Sequence, residues 1–194
     1  AVKAATMQQL LTGQQRLPGF DGAWETRRLG DVMERIVGGG TPSRASSTYW
    51  GGQIPWMTVK DFSTFEPSNT QECITEEGLR NSASNLIPSE TVITSTRMAL
   101  GAAAMYDVSV AINQDLKALF TTDDIADYFL LYWFQHNAEQ IARLGSGSTV
   151  KGLSLSDLKD LDFPKPALKE QQAIATVLSD MDAEIEALEA RRNK

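Results

Sequence analysis

Apolar positions change their spacing several times along the chain, and each change marks an element. Met7, Leu10 and Leu11 share one face of a helix over residues 1–14, with Gly13 as its C-cap and Pro18-Gly19 as the break. Leu29, Val32, Met33 and Ile36 follow an i, i+3, i+4, i+7 spacing, which predicts a short second helix stopped by Gly38-Gly39-Gly40. A polar loop from 41 to about 53 follows. Alternating residues then predict strands at 54–56, 91–95, 108–112 and 116–120. Thr122 is placed to cap a helix from 123 to about 144, which Gly145 ends. Ser156 is placed to cap a single helical turn through Leu161, and Pro164 and Pro166 force an extended segment after it.

Residues 170–192 contain no Gly or Pro, and their apolar positions fall at Ile174, Leu178, Met181, Ile185 and Leu188. Steps of four and three alternate, as in a coiled-coil seam. A stripe this narrow on a helix that outruns its domain calls for a partner. The alternative is a helix packed wholly on its own domain, with Glu184, Glu186, Glu189, Arg191 and Arg192 as a solvated face. The expected fold class is α/β, in the α+β sense. It has one globular domain over 20–166 with a mixed twisted sheet, a helical remnant and linker over 1–19, and a long coiled-coil-like helix over 167–194.

Composition narrows the chemistry. The 194 residues are 42% hydrophobic and 22% charged, enough for one core and unlike a disordered or fibrous chain. The longest apolar runs, such as 99–105, are far too short for a bilayer span, so no membrane association is expected. Cys73 stands alone, which excludes an internal disulfide and a cysteine zinc cluster. No basic-then-apolar signal pattern opens the sequence, and a cytoplasmic location is expected. The single histidine, His136, sits in an apolar helical run and reads as a packing or solvent-edge residue, leaving poor material for a metal site or a histidine-activated nucleophile. The net charge of −7 is uneven: +2 over 1–44, −7 over 45–168 and −2 over 169–194. That balance argues against DNA as a partner of the isolated chain, but it leaves room for a basic patch on one side.

Three segments carry candidate chemistry. Gly145-Ser146-Gly147-Ser148-Thr149-Val150-Lys151-Gly152 offers hydroxyls, free backbone N–H groups and a lysine suited to a phosphate. No Ser or Thr follows Lys151, so it is not a nucleotide-hydrolysing loop; it either touches a nucleic-acid backbone or serves as a flexible connector. Thr41, Ser43 and Arg44 follow a glycine triplet with a similar inventory, and Trp50 and Trp56 nearby read as loop anchors rather than stacking platforms. Arg97, Asn113 and Gln114 close strand-rich stretches. Their side chains match guanine and adenine edges, yet each can equally cap a strand or satisfy a buried carbonyl. The chain lacks the motifs of a methyltransferase. Asp115-Leu116-Lys117 and Asp157-Leu158-Lys159 fit the loose Asp/Glu-x-Lys tripeptide of metal-dependent nucleases, a pattern that arises easily by chance.

The order of several motifs is more specific. Trp24-x-x-x-x-Leu29-Gly30-Asp31-Val32, Gly39-Gly40-Thr41-Pro42-Ser43 and Tyr49-Trp50-Gly51-Gly52-x-Ile54-Pro55-Trp56 are followed by Ile74-Thr75-Glu76-x-Gly78-Leu79 and Leu86-Ile87-Pro88. Then come Val92-Ile93, Arg97, Ala111-x-Asn113-Gln114, Gly147-Ser148-Thr149 and Pro166-x-Leu168-x-Glu170-Gln171-x-x-Ile174-Ala175. Across nearly its whole length the chain resembles the specificity subunit of type I restriction-modification systems. Such subunits carry two target-recognition domains, and this chain resembles half of one, whether a natural half-subunit or a fragment.

The resemblance implies a non-enzymatic DNA-recognition component that reads one half of a bipartite double-stranded target. Its helices would pair in pseudo-twofold fashion with a second recognition unit or a second copy, through Ile174, Leu178, Met181, Ile185 and Leu188. Methylation and restriction subunits are the implied partners. S-adenosylmethionine would sit on the methylation subunit, and no cofactor or metal is expected in this chain. The candidate DNA contacts are Thr41, Ser43, Arg44, Arg97, Asn113, Gln114, Ser148, Thr149 and Lys151. Arg97, Asn113 and Gln114 fall on recurring positions of the family pattern, which points to fold or backbone-contact roles. Two other readings stay open: an assembly module that binds only protein, and a specificity module of a larger fused restriction or methylation enzyme.

Overall fold

The computed structural model describes residues 2–146 and 152–192. Helix α1 (Val2–Leu11) ends ahead of Gly13, whose left-handed backbone, φ +71°, turns the chain beside the Trp24 ring. Strand β1 (Glu25–Arg28) pairs antiparallel with β10 (Asp162–Lys165), closing a two-stranded ribbon between the start and the end of the domain. A ribbon strand has a free edge, and there Pro164 is tolerated.

The helix expected over Leu29 to Ile36 is not formed. Leu29–Val32 make one tight helical turn, and β2 (Met33–Gly38) follows as a strand paired with β9 (Leu116–Thr121). The register shifts between Met33 and Arg35. This bulge puts Met33 and Ile36, three residues apart, against one core, while Val37 packs against another. A bulged strand thus reproduces the three-residue step of a helix.

Two four-stranded sheets form the body. One is antiparallel, in the order β2, β9, β6 (Val92–Ser95) and β7 (Ala103–Ala104). The other is mixed, in the order β4 (Cys73–Ile74), β3 (Trp50–Met57), β8 (Val110–Ile112) and β5 (Asn85–Ile87), and is parallel only between β3 and β8. Each strand expected from alternation is present, and β3 begins at Trp50, shortening the expected polar loop. Met57, Ile87, Ile112, Ile93 and Leu116 from both sheets meet in a shared buried cluster. Helix α2 (Glu76–Arg80) is capped by Thr75, whose hydroxyl accepts from the Gly78 N–H at 3.0 Å.

The long helix α3 (Asp127–Ser146) starts later than expected. Thr122 instead begins a turn: its N–H donates to the Val32 carbonyl, its hydroxyl to Asp124, and its own carbonyl accepts from Ile125. Helix α4 (Leu155–Lys159) is capped by Ser154 rather than Ser156, in a reciprocal pair with Asp157 that holds the Asp157 carboxyl below its ordinary range. Helix α5 (Leu168–Arg192) runs to the end of the described residues. Among the described residues no helix is long and apolar enough to cross a membrane.

Met7, Leu10 and Leu11 of α1, Phe129 and Phe134 of α3, Phe163 of β10, and Ile174 and Leu178 of α5 form the larger core. Gln171, fully buried in the first turns of α5, accepts from the Ala126 N–H at 2.9 Å and donates to the carbonyls of Asp124 and Pro166 at 3.0 and 2.8 Å. The α5 seam is divided. Ile174 and Leu178 are buried against the domain, Met181 is half-buried on it, and Ile185 and Leu188 are 38% and 55% exposed. Neither a seam reserved wholly for a partner nor a helix packed wholly on its own domain describes it.

Candidate nucleic-acid interface

Strand register gathers several loops at one end of both sheets. Gly38 pairs with Lys117 and Ser95 with Leu116 in the antiparallel sheet, while Met57 and Asn85 both pair with Ile112 in the mixed one. The turn Asn113-Gln114-Asp115 joins Ile112 to Leu116, so it lies where the two sheets meet. The glycine segment after β2 crosses it closely: the Gly40 N–H donates to the Ile112 carbonyl at 3.0 Å, and a Cβ on Gly39 would fall 1.9 Å from that oxygen. Only glycine fits there.

Four of the expected contact residues meet at this junction. The Thr41 hydroxyl donates to Gln114 Oε1 at 2.6 Å. Asn113 is buried, and its Oδ1 accepts from the Asp115 N–H at 3.1 Å, which commits this side chain to the turn. Thr96 donates to the Asp115 carbonyl from both its N–H and its hydroxyl, and the next side chain, Arg97, is 64% exposed with its guanidinium 3.9 Å from the Asp115 carboxylate. Ser148, Thr149 and Lys151 lie outside the described residues. Their flanks sit at the same junction, because the Gly152 N–H donates to Gly145 and the Leu153 N–H to the Thr96 carbonyl at 2.9 Å.

Ser43 and Arg44 are joined to this group through tryptophan. Trp56 is buried, and its indole N–H donates to the Gly40 carbonyl and to Ser84 Oγ at 3.2 and 3.1 Å. Trp50 donates to the Ser43 carbonyl at 3.1 Å and meets Trp56 edge to face. Both rings anchor the loop, as their positions in the sequence suggested. Arg44 lies over Trp50, bonded to the Glu72 carboxylate through both terminal nitrogens, which raises the Arg44 pKa and holds the Glu72 carboxyl below its usual range.

Three residues of the junction, Asp115, Lys117 and Glu72, were not among the contact candidates, although the first two stand in a nuclease-type tripeptide of the sequence. Asp115 stands directly after Asn113-Gln114, and an Asn two positions before an acidic residue is a recognisable turn signal. Lys117 donates to the carbonyls of Gln114 and Leu116 at 3.1 and 3.0 Å, and burial lowers its pKa, so this lysine is held against the protein rather than poised as in a nuclease tripeptide. Asp157 of the second tripeptide caps α4. Glu72 lies 28 residues from Arg44, and no local pattern links them. His136 is half-buried on α3, where burial lowers its pKa. A groove of about 530 Å³, lined among others by Glu90, Asp127, Tyr128, Gln172 and Asp180, lies by the start of α3, at the opposite end of β9 from these loops.

Among the described residues the arrangement offers hydroxyl, amide and guanidinium donors at one end of the two sheets, and this suits the edge of an extended polymer. Comparison with known proteins gives the family. Residues 22–194 match the family model of the type I restriction modification DNA specificity domain. The type I restriction enzyme MjaIX specificity subunit of Methanocaldococcus jannaschii is 33% identical over 168 residues, which are 84% of this chain and 39% of that subunit. The EcoR124I/EcoR124II specificity subunit of Escherichia coli is 28% identical over 175 residues, 87% of this chain and 43% of that subunit. In fold, the crystal structure of the HsdS subunit from Thermoanaerobacter tengcongensis gives a TM-score of 0.69 at 24% identity, covering 98% of this chain and 45% of that one. The type I S subunit from M. genitalium gives 0.74 at 12% identity, covering 97% and 48%. The chain therefore spans about two fifths of the curated relatives it matches and just under half of the solved subunits. With the family model matched over most of its length, the chain belongs to the type I restriction-modification DNA specificity family.

Proposed function

We propose that this chain is a target-recognition domain that reads one half of a bipartite double-stranded DNA site, without catalysing a reaction itself. The observation that carries this reading is the convergence of Thr41, Arg97, Gln114 and the flanks of the 147–151 segment on one end of two sheets, in a chain of this family. Backbone N–H groups, hydroxyls and guanidinium groups serve phosphates, and amide and guanidinium groups serve base edges. Ser43 and Arg44 extend the same surface, Asn113 holds its turn, and Ser148, Thr149 and Lys151 are assigned as contacts on their chemistry alone.

At the other end, the half-exposed Ile185 and Leu188 give α5 an apolar stripe beyond the domain, suited to a second recognition unit or a second copy. Methylation and restriction subunits are the remaining partners, with S-adenosylmethionine bound by the methylation subunit. The test is reconstitution. Mixed with a type I methylation subunit and S-adenosylmethionine, the chain should direct methylation to one bipartite sequence, and alone it should transfer no methyl group. Lys151→Ala should weaken binding to all sequences and lower the salt slope by about one unit, as for a phosphate contact. Methyl transfer by the pure chain, or methylation without sequence preference in the mixture, overturns the proposal.

A further inference from the structure

The turn between β6 and β7 holds one apolar side chain out into solvent at the same end of the fold. Met98 is 81% exposed, and its φ of +63° lies in the left-handed region that disfavours a residue with a Cβ. The turn is fixed on both sides. The Ser95 hydroxyl donates to the Arg97 carbonyl, the Ser95 N–H and the Thr94 hydroxyl both donate to the Ala102 carbonyl, and the Ala102 N–H donates to Ala99 at 3.1 Å. Leu100 packs on the helical core. Gly101 lies so close to α3 that a Cβ there would be 2.6 Å from the Ala138 carbonyl. Glycine or asparagine would satisfy the backbone at 98 with less strain, and among the described residues the methionine belongs to no core cluster. Strain kept at a rigid tip points to a role outside the fold.

Resting on the DNA reading above, we propose that Met98 is a specificity-determining residue that packs against the 5-methyl group of a thymine in the major groove, next to Arg97. That methyl is the one apolar feature the major-groove edge presents, and Met98 stands in the turn that joins β6 to β7, at the end of the sheet where the polar loops gather. A long, polarisable thioether side chain adapts to it readily. The polar neighbours Arg97, Gln114 and Thr41 suit the same groove, whose pattern of donors and acceptors distinguishes all four base pairs.

The experiment uses the full chain reconstituted with a methylation subunit, and compares selected binding sites for the wild type, Met98→Ala and Met98→Asn. Asparagine tolerates the left-handed backbone, so the second variant separates a lost contact from a distorted turn. Both variants should relax preference at one position only, a T·A pair in the wild-type site. Replacing that thymine by uracil, which removes only the methyl, should weaken the wild type by about fourfold and leave both variants unchanged. The inference is overturned if no position relaxes, if all sequences weaken alike, or if the relaxed position ignores uracil while a neighbouring 2-aminopurine brightens, the mark of a side chain wedged between bases. These outcomes leave the recognition reading standing. A wild-type complex without any sequence preference overturns that reading and this inference together.

Discussion

The Arg44 guanidinium donates from both terminal nitrogens to the two oxygens of the Glu72 carboxylate, at 2.5 and 2.8 Å, with its central carbon 3.6 Å from the centre of the Trp50 ring. A positive charge beside the polar loops is thus neutralised within the protein. Glu72→Gln should free it, raise affinity for unrelated DNA and steepen the slope of log affinity against log salt by about one unit. Stability should change by no more than about 1 kcal/mol, because both partners are partly exposed. Fluorescence anisotropy across a salt series reads the result. An unchanged slope would mean that Arg44 does not meet the phosphate backbone.

The divided seam of α5 makes a paired prediction. Leu178→Glu places a charge in the core and should cost several kcal/mol, on the order of 3 or more, visible as a large fall in Tm. The double variant Ile185→Glu, Leu188→Glu should keep the Tm of the domain while abolishing self-association in sedimentation velocity. A lower Tm in the double variant would mean that the distal half of the helix also stabilises its own domain.

Gln171 ties α5 to the start of α3 and to the segment before its own helix through three buried hydrogen bonds. Gln171→Leu has similar volume but leaves one N–H and two carbonyls without a partner. It should lower unfolding free energy by about 3 kcal/mol, read from the urea midpoint at constant m-value.

His136 gives a pH dependence with a definite sign. Burial lowers its pKa in the folded chain, so on acidification the unfolded chain takes up this proton first. The contribution of His136 to stability is therefore complete above its ordinary value of about 6.5 and declines as pH falls below it. His136→Gln should remove this part of the slope in Tm against pH. A steeper slope in the variant would reverse the sign and reveal a partner for the protonated ring.

How much of this was legible in the sequence depends on the range over which each feature is determined. Strands with plain alternation were readable, as was the helix bearing Met7, Leu10 and Leu11. The bulge at Met33 to Arg35 defeated periodicity because one extra residue imitates a helical step. The candidate surface was recognisable as a set of residue types, and the ordered motifs carried the family, but its geometry was not. Thr41 and Gln114 are 73 residues apart and meet only through the register of β2, β9 and β8. Nor does a continuous apolar stripe tell where a domain ends along it, so the change from buried Leu178 to exposed Leu188 had no signature in the spacing.

The β1–β10 ribbon has a mechanical consequence. Glu25 and Lys165, the residues at which the chain enters and leaves the ribbon, are cross-strand partners. A pull applied at Glu25 and Lys165 themselves therefore opens the antiparallel pair one rung at a time, as a zipper opens, instead of loading all rungs in shear. The helical arms do not share this release, because α1 and α5 are packed with α3 in the larger core and Gln171 binds the body at Ala126 and Asp124.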